Sequence, residues 1–374
     1  MSGQELEDHR VELDGDIVGE SELPDDPLVI TVDPFVPARY DADSFDGIGS
    51  FPTMTLMHTL GADEFPDFMS DLAEANARVA QVWPPTQTLF EYYLDANWPI
   101  FEKTARSKFE LTEVGVTRHE RSTLAYQTLA YVTVAVVGTT GERGAKVFDR
   151  YSRKHLACIS KDPYLALLRI RDADSKGLER DVFSIIGHFI DNFPSWSMGR
   201  LARFADVGAL DDLTLYRDEF TLVRDLYQQG FELACKCLWA LVAAQNTVKR
   251  SDPNLFGDHP ASVPVKQRAN SISQFDKLPN AYKIAYVAQV PGWDSLSELL
   301  NNQRRNAIGH ASARHDLRAG RVVSDKDLAG ISYLEFLNET HGVFEALSSL
   351  MQVLRTVRVA ASPDFRMNAT VSTS

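Results

Sequence analysis

From Leu299 to Ser312 the chain reads Leu-Leu-Asn-Asn-Gln-Arg-Arg-Asn-Ala-Ile-Gly-His-Ala-Ser. A cation, an amide and an imidazole stand within two helical turns of one another. Arginine offers a planar fork of donors that matches phosphate oxygens and stays charged at any working pH. Histidine moves protons near neutral pH. Asparagine can hold the imidazole in one orientation or bind a phosphate oxygen. Arg305, Asn306 and His310 together suit phosphoryl chemistry that needs no metal. The sequence has no His/Cys/Asp cluster at ligand spacing, no Walker loop and no dinucleotide fingerprint to point elsewhere.

Such a set needs an element to carry it. Asp294 is a plausible helix start, and the pattern predicts one helix from there to about Ser312. Asn306 and His310 are four apart and share a face. His310 lies about 60 degrees from the stripe of Leu296, Leu300, Ala307 and Ala311, and Arg305 about 140 degrees from His310, at ~100 degrees per residue. Arg305 and His310 therefore meet on one substrate only through the reach of the arginine or through a second copy of the helix. Gly309, costly inside a helix, leaves room beside His310 for a ligand or another backbone.

The flanking segments are helical. Phe220, Val223, Tyr227, Phe231, Ala234, Leu238 and Leu241 keep one face of a helix for about six turns. The stretch 250–270, with Pro253, Gly257, Pro260 and Pro264, is a loop. A helix over 272–289, irregular near Pro279, ends at Pro291-Gly292. Residues 313–326 form a loop or small hairpin turning at Ala319-Gly320. A last helix runs from about Leu328 to Val357, with Leu334, Leu337, Phe344, Leu347, Met351 and Leu354 on one side. Four such helices make an antiparallel bundle. The preceding part is also helical, with segments from about residue 64, from Thr86 to Phe109 broken near Pro99, and over 122–137, 143–157, 163–171 and 176–190. The expected fold class is all-α: an acidic leader over 1–50 with one short strand at Leu28–Val32, a helical domain over 51–207, a bundle over 208–360 and a tail over 361–374. His341 falls on an apolar helix face and reads as a core histidine. His188 and Trp196 flank Pro194 and receive no role.

The formal charge is −14 over 374 residues, unevenly spread. The first 50 residues hold 14 of the 52 acids and two of the 38 bases, which leaves 38 acids and 36 bases for the rest. Over 246–326 there are 12 bases and 7 acids. A local basic region is what phosphate binding requires, and net charge is a poor guide to it. The leader is a solvated segment or a mimic that covers a basic groove. Arg304, Arg314, Arg318 and Arg321 are candidates to track an RNA backbone, or are surface charges. No apolar run reaches the ~18 residues of a membrane span. The acidic N-terminus lacks a signal-peptide layout. Cys158, Cys235 and Cys237 show no metal or disulfide pattern. A reduced, cytoplasmic protein is expected.

The stretch Arg305-Asn306-Ala307-Ile308-Gly309-His310 resembles the Arg-x4–6-His motif of HEPN domains in its Arg-Asn-x-x-x-His form, as in anticodon nucleases, type VI CRISPR effectors and abortive-infection proteins. The resemblance covers about 211–358. It implies a helical bundle that dimerises to join two motifs into one composite site. It also implies RNA cleavage without metal or cofactor, with Arg305, Asn306 and His310 catalytic. HEPN toxins carry a Tyr two residues after the histidine; Ser312 stands there. The expected function is a metal-independent endoribonuclease of antiviral defence or a regulated toxin, cutting through the RNA's 2′-hydroxyl. The N-terminal domain would sense a trigger or partner, or restrain the nuclease. The alternative is a non-catalytic interaction or nucleotide-binding protein that uses the bundle to dimerise.

Overall fold

The helix Tyr333–Ala361 is apolar on nearly every side, and twenty of its residues are buried. A helix with that pattern belongs inside a protein, with other elements around it. In the computed structural model this helix is the axis of the fold. The structure describes residues 52–138, 142–204, 215, 219–308, 313–316, 320–324 and 327–362. The leader with the strand expected at Leu28–Val32, the residues Gly309, His310 and Arg318, and the tail from 363 lie outside the described residues.

The first half runs α1 (Pro52–Leu94, interrupted at Gly61), α2 (Trp98–Phe109), α3 (Arg118–Val137), α4 (Glu142–Cys158), α5 (Asp162–Ile170), α6 (Asp172–Asp191) and the short α7 (Phe193–Trp196), followed by a 3₁₀ turn, Ser197–Arg203. Pro99 sits in the first turn of α2, where its missing N–H costs nothing. A reciprocal capping box, Thr117 with Glu120, starts α3, and Gly138 ends it. The buried Arg200 donates to the free carbonyls of Ala135 (2.9 Å) and Val136 (2.6 Å) and pairs with Asp71.

The second half runs α8 (Phe220–Cys237), α9 (Trp239–Arg250), α10 (Ile272–Asp276), α11 (Asn280–Ala288), α12 (Ser295–Leu299), α13 (Asn302–Ile308), β1 (Arg314–Asp316), β2 (Arg321–Ser324), β3 (Asp327–Ser332) and α14 (Tyr333–Ala361). Every residue of the stripe read from Phe220 to Leu241 is buried, although the helix is divided at Leu238. Pro279 separates α10 from α11.

The chain is mostly helical, as the all-α class expects, with one small antiparallel sheet in which β1, β2 and β3 stand in that order. Arg314 pairs with Val323, and Val322 with Ile331. The last helix starts at Tyr333, not near 328. Residues 327–332 pair with β2 as a strand instead, and Gly330, at φ 56°, lies so close to the Val322 carbonyl that a Cβ there would collide with it. Ser332 then caps α14 through Glu335 N (3.0 Å). The helix expected over 294–312 is also broken. Leu300 leaves helical geometry (φ −118°, ψ 67°) with its side chain buried, which ends the angular count taken from the stripe of Leu296 and Leu300.

The boundary expected near 207 falls among residues outside the described ones, and the core is continuous across it. One apolar cluster extends from Leu56 to Ala361. Helix α14 touches α3, α4, α5 and α6 of the first half as well as α8. The 3₁₀ turn approaches α14 so closely that a Cβ on Gly199 would strike the carbonyl of Leu337. His341 is fully buried, with its ring 5.7 Å from that of Trp196, as a core histidine should be. The three cysteines are free and buried, and burial pushes the Cys158 thiol up to about 11. Among the described residues no helix is long and apolar enough to cross a membrane.

Candidate functional site

Helix α13 carries Arg304, Arg305 and Asn306 and has only seven residues. Its start is built by Asn301, whose Oδ1 accepts from the amides of Gln303 and Arg304, both at 3.1 Å, while its carbonyl accepts from Arg305 N at 2.9 Å. This is side-chain capping by a residue type suited to it. Buried Ile308 fastens the other end. The helix rests on α8 and β2.

From this short platform the two arginines go to different neighbours. Arg305 reaches Glu232 on α8 and forms an ion pair with it. Its Nη1 also donates to Asn306 Oδ1 at 3.3 Å, and its Nε is buried with no acceptor among the described residues. The Arg305 side chain is 32% exposed, so the guanidinium stays within reach of a ligand. Glu232 serves two partners, because its Oε2 accepts from Asn280 Nδ2 at 2.8 Å. Arg305 and Glu232 stand on an open cleft of about 470 Å³ whose lining includes Asp181, His188, Gln228 and Lys236. His188, given no role from the sequence, therefore shares a surface with Arg305.

Arg304 turns inward instead. It pairs with Glu335 and lies 3.9 Å from Glu339, both on α14. Burial pushes the Glu339 carboxyl up to about 7; Arg304 pulls it down, and the charge of Glu335 adds to the rise. The Tyr227 hydroxyl is raised by burial first and by Glu339 second, and it is buried with no hydrogen-bond partner among the described residues. Arg304 thus ties α13 to the central helix. Of the other arginines expected to track RNA, Arg314 is exposed on β1, and Arg321 is half-buried on β2 with its Nη2 donating to Gly330 O at 3.0 Å. Arg318 and His310 lie outside the described residues.

The structure therefore brings Arg305 and Asn306 together, with Asn306 holding the arginine. Sequence reasoning missed Glu232, 73 positions from Arg305, and also Asn301, Glu335 and Glu339. Asn301 could have been found, because an Asn before a helix start is a cap signal. The acids could not, because nothing in the local pattern of α8 or α14 pairs them with α13. His315, on β1, stacks on Tyr333 with centroids 4.1 Å apart and was not singled out either. Among the described residues no three His, Cys, Asp or Glu side chains are grouped to hold a metal ion. No protein-family model, no curated protein and no solved structure matches the chain.

Proposed function

We propose that this chain is a HEPN-type endoribonuclease that acts in antiviral defence or as a regulated toxin. The observation that supports this reading is Arg305. It is a partly exposed guanidinium at the head of the Arg-Asn-x-x-x-His sequence, steadied by Asn306 and set at the edge of an open cleft. Glu232 neutralises it at rest, and a phosphate entering the cleft would replace that carboxylate as the partner of the fork.

In the reaction, the 2′-oxygen of the RNA attacks the adjacent phosphorus and the bond to the 5′-oxygen breaks. The products are a 2′,3′-cyclic phosphate and a 5′-hydroxyl. The nucleophile is already next to the phosphorus, so positioning supplies much of the rate. His310 passes a proton at the attacking or the leaving oxygen, worth ~10²–10⁴-fold by the usual range for such groups. Arg305 stabilises charge on the phosphate oxygens. A homodimer that joins two copies of the motif completes the site, with RNA as the partner.

The test is purified full-length protein with RNA in EDTA, run on wild type, Arg305→Ala and His310→Ala, with melting temperatures measured alongside. Cleavage by wild type, loss in both variants and block by a single 2′-deoxy substitution at the cut position are expected. Light scattering after gel filtration should give a dimer. Full activity in a folded His310→Ala protein would sink the assignment. A second reading, a non-catalytic helical interaction protein, is favoured by one feature, the ion pair that already occupies Arg305. It requires wild type to leave RNA intact.

A further inference from the structure

Helices α4 and α9 and the segment 286–293 enclose a recess of about 520 Å³, separate in its lining from the Arg305 cleft. Its wall holds four cations, Arg150, Lys154, Lys249 and Arg250, and one carboxylate, Asp258. Asp258 is taken by two of the cations, accepting from Lys249 Nζ at 2.8 Å and lying 2.7 Å from Arg250 Nη2. The other two have no carboxylate partner among the described residues. Lys154 Nζ donates to the neutral Gln245 Oε1 at 2.6 Å and lies 5.4 Å from the centre of the Trp293 ring. The stem of Arg150 runs along Gly292, where a Cβ would stand 3.4 Å from its Cγ and Cδ.

Two of the most deeply buried cations elsewhere are paired with acids. Arg200 is paired with Asp71, and Arg358 with Asp172 and Glu179. Here the Lys154 ammonium is held below its ordinary range by burial first, then by the charges of Arg150 and Lys249. Like charges gathered in a recess raise the energy of the empty protein and lower it when an anion enters.

We infer that this recess binds a small ligand carrying two or more linked phosphate groups. Its volume is within the ~300–1,000 Å³ usual for small-molecule sites. Arg150 would take phosphate oxygens with its fork, and Lys154 and Lys249 would act as point charges. Trp293 and Tyr286 are buried and form the wall, so they offer no open ring face for stacking. Recognition therefore rests on the phosphates, and any organic part points to solvent. An RNA strand is a poorer fit, since it spreads its phosphates one per nucleotide along a line and the four cations share one recess.

The test is titration calorimetry on the full chain at low salt, with pyrophosphate, tripolyphosphate and ATP as probes and a ten-nucleotide RNA for comparison. One-to-one binding of tripolyphosphate and ATP is expected, weakening with added salt. Equal affinity for the two is expected, because recognition rests on the phosphates; ATP binding tenfold tighter than tripolyphosphate overturns that assignment. The double variant Arg150→Gln/Lys154→Gln should bind tenfold or more weakly, whereas Arg305→Ala should bind as wild type does. Without ligand, the double variant should melt at or above the wild-type temperature, because repulsion is relieved. A merely structural role for the pair predicts a lower one. Lys154→Gln alone, which removes one charge with little change of shape, covers the case in which the double variant does not fold. No binding of any of the three probes at millimolar concentration, unchanged binding in the folded variants, or a loss confined to RNA overturns the inference.

Discussion

At α13 Arg304 meets Glu335 and Arg305 meets Glu232; at the recess between α4 and α9, Arg150 and Lys154 meet no carboxylate among the described residues. Both regions draw on the basic stretch 246–326, through Arg304 and Arg305 in one and Lys249 and Arg250 in the other. A count of charge along the chain cannot tell them apart. What separates them is which acids the fold brings alongside. Around α13 the acids come from α8 and α14, and the arginines join elements together while one of them stays accessible. Around the recess a single acid serves two cations, and the other two have no carboxylate among the described residues. The first arrangement suits a site whose cation must be released to act, and the second suits one that waits for an anion.

Crossed variants test this contrast most directly. Arg305→Ala should lower RNA cleavage by ~10²-fold or more, in line with loss of a group that stabilises transition-state charge, and leave polyphosphate binding unchanged. Arg150→Gln/Lys154→Gln should do the reverse, with cleavage measured on a saturating RNA substrate. If either variant removes both properties, the two regions are one site.

A smaller effect is expected from the acids that hold α13. Glu339 has its carboxyl raised to about 7 by burial, above the ~4.3 of an unfolded glutamate. Between those values the folded protein keeps a proton that the unfolded chain has lost, so stability falls as pH rises from about 4.3 to about 7 and stays low above it. Glu339→Gln should flatten that fall, with a gain of the order of 1–3 kcal/mol at pH 8 relative to wild type, seen in melting temperatures from pH 5 to 8. An unchanged pH slope would falsify the assignment of a protonated Glu339.

The smallest effect concerns the Arg305–Glu232 pair, in which Glu232 is 40% exposed. Exposed pairs contribute little, so Glu232→Gln should cost less than ~1 kcal/mol of stability. Gln can still accept from Asn280. With the competing carboxylate gone, RNA should bind a few-fold more tightly, measured by fluorescence anisotropy. Weaker binding would mean that Glu232 positions Arg305 for phosphate instead of competing with it.

Much of the helical framework was legible along the chain. The stripe from Phe220 to Leu241, the buried face of α14, the end of α3 at Gly138 and the loop over 250–270 follow from local rules. Those rules are a 3.6-residue period for apolar side chains and the geometry of Gly and Pro. They act over a few residues, so they can be read there. The same rules misplaced the start of α14, because Leu328-Ala329 looks helical in isolation and only the pairing of this segment with β2, Ile331 against Val322, makes a strand of it. They also ran one helix through Leu300, whose apolar side chain leaves the helix to enter the core while Asn301 starts a new one.

The residue types at Arg305, Asn306 and His310 and the chemistry open to them are properties of the sequence alone. Tertiary structure decided the rest. It placed Glu232 on Arg305, turned Arg304 to α14, set His188 on the Arg305 cleft and gave Arg150 and Lys154 no carboxylate among the described residues. Side-chain charge is written in the residue. Whether the charges of Arg304 and Arg305 are neutralised depends on Glu335 and Glu232, 31 and 73 positions away, and those partners arrive only when α8 and α14 close around a common core.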